Sequence, residues 1–186
     1  IPEGIVAIGK GAFLNCSSLG SVILPSTLKS VGDEAFKGCV SLKSITLGAA
    51  LERLGQSAFS ECTLLKKVIF ASGSALTEIS PLCFFECESL REIKWPEALQ
   101  EIKEEAFRAC TGIDTLKLPT SLARIGYSAF SGCTRLKSVD MPTELKSVAE
   151  FAFAECSSLE TVELPENIVV LEGSIFSNCS KLRSVR

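Results

Sequence analysis

Phenylalanine and cysteine recur in lock-step down this chain, as Phe13/Cys16, Phe36/Cys39, Phe59/Cys62, Phe84/Cys87, Phe107/Cys110, Phe130/Cys133, Phe153/Cys156 and Phe176/Cys179. Each pair lies 23 residues from the next, apart from one step of 25 between Phe59 and Phe84. A fixed period of this size is the mark of a solenoid, in which each unit buries its apolar side only against its neighbours. The 186 residues divide into a single array of units 1–23, 24–46, 47–69, 70–94, 95–117, 118–140, 141–163 and 164–186. Nearly every position can therefore be read as a column in a stack.

Aligned on the Phe/Cys pair, the unit reads Leu-Pro-x-x-Leu-x-x-Ile-Gly-x-x-Ala-Phe-x-x-Cys-x-x-Leu-x-x-Val-x. The stretch from Leu42 to Leu47 alternates apolar with polar residues and holds β-branched side chains, which predicts a short half-buried strand with Ser44 and Thr46 facing solvent. One strand per unit, stacked about 4.8 Å apart, gives a continuous parallel sheet. Proline follows at Pro2, Pro25, Pro96, Pro119, Pro142 and Pro165, where a residue without N–H can end the ladder.

A second apolar pair, such as Leu122 and Ile125, predicts another short extended segment that ends in a turn. Glycine follows at Gly9, Gly32, Gly55 and Gly126 but is replaced by Ser80, Lys103, Ala149 and Glu172, so the turn does not demand a glycine-only conformation. From there to the cysteine, as in 33–39, the i,i+3 spacing of Phe36 and Cys39 and the acidic start at Asp33 and Glu34 predict about one turn of helix. The fold class expected is a mainly β solenoid with short helical turns opposite a curved parallel sheet.

The pattern Leu-x-x-Val-x-Leu, followed by Ile-Gly-x-x-Ala-Phe-x-x-Cys-x-x-Leu, resembles the BspA-like, treponemal-type leucine-rich repeats over all 186 residues. That resemblance implies a right-handed solenoid with its strands on the concave face. It also implies a bacterial surface or secreted protein, with relatives in parasitic protists, whose partner is a host matrix or cell-surface protein. The chain opens on Ile-Pro-Glu-Gly in phase with the repeat, its only methionine is Met141, and neither end shows a recognisable cap. It is expected to be part of a longer chain, or to have its ends covered by a neighbouring one.

Chemistry has little to stand on. The absence of histidine removes the commonest general base, the Ser-His-Asp and Cys-His arrangements and the histidine-containing zinc sites. No phosphate-loop, dinucleotide or calcium-loop pattern occurs, and Glu104 and Glu105 are adjacent residues of a solvated turn rather than a facing acid/base pair. No catalytic, cofactor-binding or metal-binding residue is assigned. A net charge of −3 argues against nucleic acid, and a 46% hydrophobic content without a long apolar run supports a continuous core rather than membrane insertion. The cysteine column is expected to be a ladder of small buried thiols, with disulfide pairing or a metal site as the competing readings. Cys83, the ninth cysteine, replaces the usual alanine of its unit and is expected to fill a slightly larger buried space. The phenylalanine column is expected to be a stacked core rather than an aromatic sugar platform.

What fails to repeat is where a partner can be sought. Outward strand positions on the concave face include Thr46, Lys67, Glu92, Lys94, Thr115, Lys117, Ser138, Asp140, Thr161 and Glu163, which run from basic to acidic along the array. They are the candidate partner-binding residues, against the plain reading that surface charge keeps a protein soluble. The fourth unit carries two extra residues within 70–76, either a tolerated bulge or a contact site, and Trp95 takes a leucine position as a core substitution. The function expected is a non-enzymatic protein-protein recognition module of the adhesin type, with a structural or scaffold subunit of a large assembly as the alternative.

Overall fold

A computed structural model describes all 186 residues as parallel strands wound into stacked coils, with no helix. Each coil contributes up to two strands. The second apolar segments form β1 (Ala7–Ile8), β2 (Ser30–Val31), β4 (Arg53–Leu54), β6 (Glu78–Ile79), β8 (Glu101–Ile102), β10 (Arg124–Ile125) and β12 (Ser147–Val148). The longer strands are β3 (Ser44–Leu47), β5 (Lys67–Phe70), β7 (Glu92–Lys94), β9 (Thr115–Lys117), β11 (Ser138–Asp140), β13 (Thr161–Val162) and β14 (Ser184–Val185). Their alternation is as expected: Ile45, Val68, Leu116, Val139 and Val162 are buried, while Ser44, Thr46, Thr115 and Ser138 face out.

The predicted helical turn is instead a run of tight turns. In each unit two residues take a left-handed backbone, for example Glu34 at φ 56° and Gly38 at φ 71°, or Ser128 at 50° and Gly132 at 72°. An α-helix cannot accommodate such residues. Their role shows in the hydrogen bonds. Ala35, Lys37 and Cys39 donate back to the carbonyls of Gly32, Glu34 and Phe36 within the coil, while Glu34, Phe36 and Gly38 donate forward to Gln56, Ala58 and Ser60 of the next. All six N–H groups are thus satisfied. The forward triplet recurs at each of the seven junctions between coils. Asp33, read as a helix-dipole partner, instead accepts the N–H of Gln56 through Oδ1 at 3.1 Å.

This turn face organises the core. The eight phenylalanines stack in one column, ring centroids 4.9 Å apart from Phe13 to Phe36 and 6.1 Å apart from Phe153 to Phe176. Phe36 through Phe153 are fully buried. Beside them, the thiols do more than fill space. Cys39 Sγ donates to the Phe13 carbonyl at 3.2 Å, Cys110 to Phe84 at 3.1 Å and Cys179 to Phe153 at 3.1 Å, and the same bond recurs from Cys62, Cys87, Cys133 and Cys156. All nine cysteines are free, and only Cys16 is exposed. Burial pushes the thiols of Cys62 and Cys133 up to about 12 and those of Cys83, Cys87 and Cys110 well above their usual range.

The two strand ladders are not continuous, contrary to expectation. The second sheet breaks between β4 and β6, giving orders β1-β2-β4 and β6-β8-β10-β12. The main sheet breaks between β7 and β9, giving β3-β5-β7 and β9-β11-β13-β14. Both breaks adjoin the irregular fourth unit. Glycine after the second strand lets coils approach closely: a Cβ at Gly55 would run into the backbone of Gly32 and Asp33. Ser80 stands in that column, as do Lys103 and Ala149, whose N–H groups still bond Ile79 O and Ile125 O, so a Cβ alone does not part the coils. Where Gly55 N bonds Val31 O and Gly126 N bonds Ile102 O, it is the Ser80 hydroxyl, not its N–H, that reaches Leu54 O.

The main-sheet break has the same logic. Leu118 N donates to Asp140 O and Leu164 N to Arg186 O, so the matching donor for Lys117 O would be Trp95 N. The indole Nε1 of Trp95 takes that carbonyl instead, at 2.8 Å. Trp95 is half-buried and meets Phe107 edge-on at 5.4 Å, so it belongs to the core as expected while also wedging the strands apart.

Phe107→Ala should lower unfolding free energy by roughly 3–5 kcal/mol, because it opens a cavity in the middle of the stack. An unchanged denaturant midpoint would contradict the stacked core. In native protein, a thiol reagent at neutral pH should label Cys16 alone, with the other eight cysteines reacting only after denaturation. Stability should also fall as pH rises above about 9. An unfolded thiol ionises there, whereas Cys62 and Cys133 stay protonated to about 12 when folded, so their contribution is complete below pH 9 and is lost towards pH 12. A flat melting temperature across that window would contradict the buried neutral thiols.

Candidate functional site: the outward strand face

The main strands bring the candidate residues onto one face, since alternate residues of a strand share a side. In-register pairing places Thr46 beside Ile69 and Ile69 beside Lys94, and sets Lys67 opposite Glu92. Further along, Thr115, Ser138 and Thr161 form a row, and Lys117 sits opposite Asp140. Glu163 lies just beyond β13. All of these are exposed except Lys67 and Ile69, which are half-buried. The first coil has no strand over 21–23, although Ser21 and Ile23 occupy the strand columns.

The break between β7 and β9 divides this face. Thr46, Lys67, Glu92 and Lys94 lie on one side, and Thr115, Lys117, Ser138, Asp140, Thr161 and Glu163 on the other. Three hollows open on it. One of about 400 Å³ adjoins Ser44 and Thr46. One of about 180 Å³ lies at the parting, with Arg91, Ile93, Trp95 and Lys117 in its wall. A third, of about 240 Å³, is walled by Ser138, Asp140, Met141, Thr161 and Glu163.

Charge is arranged differently on the two sheets. On the second sheet, Glu101 accepts from Lys103 at 2.8 Å and Arg124 at 3.1 Å, and Lys103 also reaches Glu78. Partial burial raises the Glu101 carboxyl, but these hydrogen bonds outweigh it and hold the group below the usual range. That network satisfies itself. On the main-strand face only Lys67 and Glu92 pair, at 2.6 Å. Lys94 donates to the uncharged Ser72 Oγ, and Arg91, Lys117, Asp140 and Glu163 form no ion pair.

Sequence reasoning missed Arg91, Ile93 and the role of the Trp95 indole. Their only signal was the coincidence of the insertion in 70–76 with a tryptophan in the leucine column of the next unit. No group of three or more histidine, cysteine or acidic side chains converges as metal ligands would, and no helix is long and apolar enough to cross a membrane.

Comparison with known proteins points the same way. The family model described as BspA type leucine-rich repeat region, with six copies, matches residues 1–114 and 77–186. A leucine-rich repeat protein from T. pallidum is 31% identical, with a TM-score of 0.79 over 95% of this chain and 82% of that one. One from Bacteroides ovatus is 30% identical, with a TM-score of 0.68 over 100% of this chain. This chain spans 53% of the Bacteroides protein's length. A Eubacterium ventriosum leucine-rich repeat protein, 23% identical with a TM-score of 0.52 over 86% of this chain and 36% of that one, shares the fold. No curated protein matches. The stacked coils, the repeating columns and these likenesses together establish that the chain belongs to the BspA-type leucine-rich repeat family.

Proposed function

We propose that this chain is a non-enzymatic protein-recognition module that engages its partner with the outward face of the main strands, as part of a surface or secreted adhesin. The observation that carries the reading is the contrast in charge pairing. On the second sheet Glu78, Glu101, Lys103 and Arg124 join in one ion-pair network that leaves only Arg53 of its strand charges unpaired, whereas Arg91, Lys94, Lys117, Asp140 and Glu163 all face solvent without an ionic partner. Such a surface has charge available to a partner of complementary pattern. Leucine-rich repeats are typically protein-interaction scaffolds without catalytic activity, which fits a chain that has no histidine. The surface setting and the host-matrix partner come from the family resemblance.

A second reading has its own observation. Ile23 is 82% and Val169 89% exposed, on the first and last coils respectively. A neighbouring subunit that covers them would make the chain a scaffold element of an assembly, which sedimentation velocity would detect as concentration-dependent association.

The recognition reading is tested by surface plasmon resonance against a panel of extracellular-matrix proteins. Lys94→Glu with Lys117→Glu, and separately Asp140→Lys with Glu163→Lys, should abolish binding to whichever panel member responds, without lowering the melting temperature. Arg124→Glu, on the other sheet, should leave binding intact. Equal loss in all three variants, or no response from any panel member, would sink the reading.

A further inference from the structure

The parting between β7 and β9 has three properties that a tolerated defect would not need to combine. First, it leaves backbone groups open. Elsewhere in this column Arg91 N donates to Lys66 O and Lys137 N to Asp114 O, but Asp114 N makes no bond to Arg91 O. Trp95 N is likewise unengaged, as is Met141 N in the same column, and the indole holds the Lys117 carbonyl. One acceptor and one donor are thus free along the stretch from Arg91 to Trp95, about 13 Å long at about 3.3 Å per residue, and one donor, Asp114 N, is free on the coil facing it.

Second, the cleft of about 180 Å³ is walled by apolar side chains, Ile93, Trp95, Ile113 and Leu116. Ile93 is only half-buried there, whereas its column neighbours Ile45 and Val68 are fully buried. Third, Arg91 and Lys117 line the cleft without an ionic partner, while its one carboxylate, Glu92, is held by Lys67 at 2.6 Å, and Lys94 stands beside the cleft. Lys94 and Lys117 occupy the same outward column on the two strands that part, and neither has a carboxylate partner. Like charges at neighbouring strand positions repel, and an anionic group beside both would relieve that repulsion. Arg91 adds a third unpaired cation at the other end of the cleft.

We propose that this parting is a binding site for an acidic, extended peptide segment of a partner protein, and this rests on the strand-face reading above. A peptide lying along the cleft meets the open groups at Asp114 N, Trp95 N and Arg91 O with its backbone. Its inward side chains rest on Ile93 and Leu116, and its outward carboxylates pair with Lys94 and Lys117. Main-chain bonds supply affinity, and the alternation of acidic and aliphatic residues supplies specificity.

Trp95, the only tryptophan in the chain, is a built-in reporter. The test titrates the protein with fluorescein-labelled Glu-Val-Glu-Val-Glu, following anisotropy, and with the unlabelled peptide, following Trp95 emission. The expected result is saturation in both signals, weakening as salt is raised. Lys94→Glu with Lys117→Glu should weaken binding by roughly tenfold or more, and Arg124→Glu should leave it unchanged. Lys-Val-Lys-Val-Lys should not bind.

Saturating anisotropy with silent Trp95 emission, unaffected by the double variant but lost in Asp140→Lys with Glu163→Lys, would overturn this site while leaving the strand-face reading in place. No saturation at millimolar peptide overturns the site, and if no matrix protein responds either, both readings fail. Tighter binding of a single-stranded oligonucleotide than of the acidic peptide would also overturn it. A melting temperature measured on each variant keeps loss of folding apart from loss of binding.

Discussion

The carbonyl of each core phenylalanine is the junction on which this solenoid depends. Phe36 O accepts Cys39 N within its own coil at 3.2 Å and Cys62 Sγ from the next coil at 3.2 Å. Phe36 N donates forward to Ala58 O. One residue therefore closes its own turn and ties down the following coil, while its ring stacks on Phe59 at 5.1 Å. Buried backbone groups must be paired, and a thiol is small enough to satisfy a second lone pair in a crowded column. Phenylalanine and cysteine repeat together because each supplies what the other needs.

This makes the turn face, rather than the strand sheets, the uninterrupted spine. Its three forward bonds survive every junction, including the one that carries the two extra residues. The sheets each break once, and there a side chain, the Ser80 hydroxyl or the Trp95 indole, takes the carbonyl that a backbone N–H would have met. The solenoid tolerates local parting of its strands because neighbouring coils remain fixed through the opposite face. A parted strand pair is also where the outward surface stops being uniform, so the same irregularity that weakens the sheet gives the face an address.

Some of this was legible in the residues. The period, the buried columns, both extended segments and the outward positions from Thr46 to Glu163 followed from alternation and phase. The turn segment did not. Phe36 and Cys39 share a face at three-residue spacing in a helical turn as they do in consecutive tight turns. The distinguishing left-handed residues include Glu34, Leu82, Ala109 and Phe151, none of which advertises positive φ. Each costs on the order of 1 kcal/mol locally, and the inter-coil hydrogen bonds that offset it lie 22 residues away in sequence.

The sequence by itself determined the architecture, because a fixed period with apolar columns leaves a stack of coils as the way to bury every unit. It also determined which side chains face out. Only the tertiary structure decided where neighbouring coils meet and where they part, since that depends on whether a backbone N–H or a side chain, the Ser80 hydroxyl or the Trp95 indole, reaches the carbonyl of the coil beside it. The candidate site is a consequence of that exchange. Arg91, Trp95 and Lys117 mark it through the hydrogen bonds their coils do not make, and a missing contact between coils leaves no motif in the chain.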